Sequence, residues 1–93
     1  MKAMLDGKVI ADSDDVIEAD GYQYFPSASV RRDWLVKVPK IESDHACPHG
    51  VQFYDVVVDG KRHERVAWVY EAPKPNMKKT ADRFGFWKEV ELR

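Results

Sequence analysis

His45, Cys47 and His49 occupy alternate positions in His45-Ala46-Cys47-Pro48-His49-Gly50, so on an extended segment all three side chains would project to one side. Imidazole and thiolate both ligate Zn²⁺ or Cu, and Asp55 or His63 would complete such a set. Structural zinc sites, however, draw their ligands from paired knuckles or helices, and only one such segment is present. The reading adopted is a loop with a half-buried thiol and two surface histidines, with no metal and no cofactor. The same residues suggest a second chemistry, because an imidazolium beside a thiol favours the nucleophilic thiolate. No orienting third residue or oxyanion donor can be assigned from the sequence, so catalytic residues are left unassigned.

Aromatic side chains offer a different use. Tyr54, Trp68 and Tyr70, with Tyr22 and Tyr24, supply flat apolar rings with polar tips, suited to a concave face that takes a planar or sugar ligand. In a chain this small the same rings also serve as core. Asp55 follows Tyr54 and faces the opposite way along a strand, which makes it the candidate acidic group. The expected ligand-binding set is therefore Cys47, His49, Tyr54, Asp55, Trp68 and Tyr70. Two alternatives stand beside this small-ligand binding module, and whether the protein is an enzyme stays open. One is a small hydrolase or transferase using Cys47 or Asp55 with a histidine; the other is a purely structural or protein-interaction role. Arg31, Arg32, Lys74, Lys78, Lys79 and Arg83 would form an anion site only if the fold made them converge.

These residues must be positioned by turns. Asp-Gly occurs at Asp6-Gly7, Asp20-Gly21 and Asp59-Gly60, each between segments of strand character. Both central residues of a type I′ turn need positive φ, which Asp and Gly tolerate, so each pair predicts a tight hairpin. The last hairpin joins Val51 to Val58 with Lys61 to Glu71 and carries most of the candidate site. In its second arm Val66, Trp68 and Tyr70 should share one face and Ala67 and Val69 the other, placing that arm inside a sheet or barrel wall. Short helices are expected near Ser29 to Leu35, with Val30 and Trp34 buried together, and near Asn76 to Asp82. Glu42-Ser43-Asp44 reads as a loop, and Phe86 to Leu92 as a final strand. The fold class is mainly β, a compact antiparallel sheet or partly open barrel of hairpins with two short helices.

Ninety-three residues fit one domain, taken as residues 1–93. A net charge of -1 argues against general nucleic-acid binding, which relies on many Lys and Arg contacts to phosphate. One cysteine excludes an intrachain disulfide framework. Charged residues interrupt the N-terminus before an apolar signal segment forms, and no run has the roughly 20 apolar residues of a spanning helix. A cytoplasmic protein that does not enter membranes, monomeric or weakly homodimeric, is the expectation.

An ordered set of short motifs adds a resemblance. It comprises Asp6-Gly7 with Val9-Ile10-Ala11, Ser13-Asp14-Asp15, Tyr24-Phe25-Pro26, Ser29-Val30, Cys47-Pro48 with Gly50, Tyr54-Asp55-Val56, Ala67-Trp68 with Tyr70, Pro73-Lys74-Pro75 and Phe86-Trp87. Together they resemble the domain of unknown function 427 family over nearly the whole chain. The resemblance implies a compact, mainly β domain with short helices. The family is sometimes labelled nucleotidyltransferase-like, but this chain has no Gly-Ser pair followed by the spaced Asp residues that hold two Mg²⁺ in polymerase-type transferases. Relatives usually carry an aromatic residue and a lysine between Cys-Pro and Gly, where this chain has His49 alone. No role of that lysine can be transferred.

Overall fold

A computed structural model describes residues 1–93. All three Asp-Gly pairs turn hairpins. Asp6, Asp20 and Asp59 have φ of 51, 56 and 51°, and the following Gly7, Gly21 and Gly60 have φ of 75, 84 and 79°. Left-handed backbone at both central positions is the geometry that lets a two-residue loop follow the right-handed twist of its strands. The hairpins are β1 (Lys2–Leu5) with β2 (Lys8–Asp12), β3 (Ile17–Ala19) with β4 (Tyr22–Pro26), and β6 (Val51–Val58) with β7 (Lys61–Tyr70).

Three short strands complete the fold: β5 (Leu35–Lys37), β8 (Arg83–Phe86) and β9 (Glu91–Leu92). They organise two antiparallel sheets, β2-β1-β9 and β3-β4-β8-β7-β6-β5. Neither closes into a barrel. The small sheet covers one face of the large one, and Ala3, Leu5, Ile10 and Ala11 meet Phe25, Val56, Val58, Val66, Ala67, Phe84 and Phe86 between them. A second apolar cluster of Ala19, Tyr24, Val51, Trp68 and Met77 packs with Cys47, Phe53, Tyr70 and Trp87. No sheet covers this cluster. It is flanked by a 3₁₀ turn, Pro75–Thr80, and by the segment following α1 (Glu42–His45).

Several local expectations change. The helix expected near Ser29 to Leu35 is two 3₁₀ turns, Ser27–Ser29 and Arg32–Trp34. Between them Val30 bridges to Ala11, and Arg31 N–H donates to the Ile10 carbonyl at 2.8 Å, which interrupts any continuous helix. The second helix begins at Pro75, whose fixed φ and missing N–H suit a first helical position. Glu42-Ser43-Asp44, expected as loop, opens α1 because the Asp44 carboxylate accepts the Ile41 N–H at 3.0 Å. The expected final strand is split into β8 and β9 by a turn in which Lys88 has φ 59°. By the two-residue period Phe84 and Phe86 face the core between the sheets and Trp87 the second cluster, its N–H still donating to the Val66 carbonyl at 3.1 Å.

The alternation expected along β7 also breaks. Val56 faces His63, and continuing that register would set Phe53 opposite Val66, but a bulge between Tyr54 and Val56 shifts the pairing so that Phe53 faces Trp68 and Tyr54 faces Ala67. At the bulge Arg65 adopts φ 54°. Val66 consequently joins Ala67 in the core between the sheets, while Trp68 and Tyr70 turn to the uncovered face.

Candidate functional site

The uncovered face holds an apolar hollow of about 200 Å³, walled by Tyr22, Cys47, Val51, Phe53, Trp68, Tyr70 and Trp87. Its construction follows from the strand period. Val51 and Phe53 share a face of β6, Trp68 and Tyr70 share a face of β7, and the register sets Val51 against Tyr70 and Phe53 against Trp68. Gly85 lies opposite Trp68 on β8, and its lack of a side chain leaves room for the indole.

Trp68 is the hub. Its ring lies 5.0 Å from Tyr22 and 6.0 Å from Tyr24, both edge-on, and 5.4 Å from Trp87 at 70°. Phe53 stacks on Trp87 at 5.7 Å and 25°. Edge-to-face and offset contacts of this kind satisfy the ring quadrupoles and stabilise each pair by about 0.5–1.5 kcal/mol beyond burial. Two polar atoms are sealed beneath the rings without hydrogen-bond partners, the Trp68 Nε1 and the Tyr24 hydroxyl. Burial, reinforced by the neighbouring Tyr70 hydroxyl, pushes the Tyr24 phenol well above its ordinary range and keeps it protonated. The site is therefore a neutral aromatic surface.

Of the residues expected from the sequence, Cys47, Trp68 and Tyr70 come together in this wall. His49 sits beside it, 5.1 Å from the Tyr70 ring, with Nδ1 accepting the Lys74 N–H at 2.9 Å. Tyr54 belongs to the opposite face and packs edge-on against Phe84 at 5.4 Å. Asp55 is buried at the bulge, where its carboxylate accepts Arg62 Nε at 2.7 Å and the Arg65 N–H at 2.8 Å. Val51, Phe53 and Trp87 were not expected at the site. Their apolar type was visible, and the strand period puts Val51 and Phe53 on one face of β6 and Trp87 on the Gly85 face of β8; the bulge adds the register that sets Phe53 opposite Trp68.

The His45 to His49 segment is not extended. His45 ends α1, and Cys47 donates its N–H to the Asp44 carbonyl, so the three side chains diverge. His45 lines a separate surface hollow with Lys37, Lys40 and Gln52. His63 is buried elsewhere, between Asp6 and Glu89. No group of three His, Cys, Asp or Glu residues is placed to hold a metal ion. The basic residues also separate: Arg31 pairs with Asp33, Arg83 pairs with Asp15, and Arg32 donates to Ser27 Oγ.

The chain belongs to the family described as Domain of unknown function (DUF427), whose model matches residues 1–92. Among curated proteins no match is found. Membership agrees with the motif resemblance and with the β-rich fold. No helix is long and apolar enough to cross a membrane.

Proposed function

We propose that residues 1–93 act as one domain that binds a small, uncharged ligand with a single flat ring in the aromatic hollow. The observation that carries this reading is the wall itself, seven residues without one charged side chain, five of them aromatic. Such a surface favours apolar and planar groups through burial and ring stacking, and the lining itself supplies no cation for a phosphate or carboxylate. The cations on its rim are Lys88 over the Trp87 ring and Arg65 over Phe53, the latter already paired with Asp44. Size points the same way. An engineered protein cavity of about 150 Å³ admits benzene, so a hollow slightly larger takes one substituted ring rather than a nucleotide. The hydrolase or transferase alternative gains less support, since both Asp55 oxygens are engaged by Arg62 and Arg65 and the hollow contains no base.

The test is a thermal-shift panel of indole, phenol and toluene against ATP and glucose. Neutral ring compounds should raise the melting temperature in a concentration-dependent way, because a ligand that binds only the native state stabilises it. Cys47→Phe, which fills the hollow, should stay folded and lose the shift. A panel in which no ring compound acts, or in which ATP acts equally on wild type and Cys47→Phe, would defeat the proposal and favour a structural or protein-interaction role.

A further inference from the structure

We infer that Arg65 is the positioning residue of the aromatic hollow, its guanidinium clamping two wall segments that the sheet alone does not hold. The inference rests on reading the hollow as a ligand site. Arg65 Nη2 donates to Asp44 Oδ1 at 2.6 Å, and Asp44 is the third residue of α1, three positions before Cys47. The same guanidinium lies 4.1 Å from the centroid of the Phe53 ring. One planar cation thus reaches both the segment that carries Cys47 and the wall residue of β6.

The backbone of Arg65 is committed as well. Its N–H is held by Asp55, and its carbonyl accepts the Trp87 indole N–H at 2.6 Å, fixing the wall residue that follows β8. These contacts tie α1, β6, β7 and the turn after β8 to one residue. They also account for an arginine at φ 54°, a conformation that L side chains avoid and that glycine adopts freely. Strain of this kind persists where surrounding contacts over-determine it, and it concentrates at functional sites. Asp44 is 3% exposed, and without the Arg65 pair its carboxylate would be buried with only the Ile41 N–H as partner.

Arg65→Gly tests the side chain alone, because glycine keeps the bulge conformation, the N–H to Asp55 and the carbonyl to Trp87. Two readouts serve. Alkylation of native Cys47 by iodoacetamide needs no ligand; it should become about tenfold faster, with the pH profile unchanged in shape, since access rather than thiol ionisation changes. Indole affinity, followed by tryptophan fluorescence, should weaken about tenfold. Ile10→Val, in the core between the sheets, controls for general loosening and should alter neither. If indole fails to bind wild type, the ligand reading falls while the alkylation arm still decides the role of Arg65. Unchanged alkylation in Arg65→Gly, or an equal acceleration in Ile10→Val, would overturn the inference. Arg65→Lys retains the charge but not the planar stack, and should fall between wild type and glycine; should the glycine variant not fold, wild-type behaviour of the lysine variant would overturn the clamp.

Discussion

Gly85 lies against the Trp68 indole so closely that a Cβ built on it would stand 2.6 Å from both Cε2 and Cζ2. The contact is with the body of a buried ring inside a β ladder, so the neighbour cannot swing aside as a flexible chain end would. Gly85 does not have a positive φ, and its requirement is one of space alone. Gly85→Ala should therefore destabilise the protein by about 1–3 kcal/mol through overpacking. It should also push Trp68 into the hollow. A urea midpoint equal to wild type, with unchanged indole fluorescence, would contradict this.

Gly60 gives the opposite case. Its φ is 79° and a Cβ there would meet nothing within 4 Å, so any cost of substitution lies in the backbone. Gly60→Ala should lose about 1–2 kcal/mol, the penalty of placing an L side chain in the left-handed region. Asp59→Asn should be nearly neutral because Asn tolerates positive φ. Equal losses in the two variants, measured by chemical denaturation, would show that the turn is held by something other than its dihedral angles.

The Asp44–Arg65 pair predicts an acid limb of stability. The Arg65 guanidinium holds the Asp44 carboxyl below the usual aspartate range, and this outweighs the opposing effect of burial. A folded-state pKa below the unfolded one means that the contribution is fully present above the unfolded value, about 3.9, and disappears as pH falls through the lower folded value. Urea midpoints of wild type should thus drop below about pH 4. Asp44→Asn should start less stable at pH 7 and show a shallower acid limb; parallel curves would remove Asp44 from the account.

What the sequence revealed, and what it hid, follows from the range over which each feature is determined. The hairpins at Asp6-Gly7, Asp20-Gly21 and Asp59-Gly60 are encoded by two adjacent residues each, and all three are present. The aromatic character of the site was likewise visible in residue types. Its membership was not. Two positive-φ positions, Arg65 and Lys88, carry no glycine to announce them, yet the first accompanies the bulge that sets Phe53 opposite Trp68 and the second turns the chain after Trp87. Tyr54 and Asp55 were expected at the site; Tyr54 instead shares a face of β6 with the core residues Val56 and Val58, and Asp55 is engaged at the bulge by Arg62 and the Arg65 N–H.

His63 supplies the last prediction. Its ring is 6% exposed and stands between two carboxylates, Nε2 at 2.8 Å from Asp6 Oδ2 and Nδ1 at 3.1 Å from Glu89 Oε1. It therefore links β7 to the β1–β2 turn and to the turn before β9. These turns lie together at one end of the small sheet because β9 runs antiparallel to β1, so the ring fastens that end to the large sheet. Glu89 is held below the ordinary glutamate range, first by its own backbone N–H and second by His63. The order of those causes has a measurable consequence. In His63→Ala the Glu89 carboxyl, followed by carbon NMR, should titrate at higher pH than in wild type but still below an unperturbed glutamate, because the backbone N–H remains. The same variant should lose about 2–3 kcal/mol, as expected when charge-assisted hydrogen bonds and the packing of a buried ring disappear together. A Glu89 titration that does not move would mean that its carboxylate owes nothing to His63, leaving Asp6 as the ring's only working link to the small sheet.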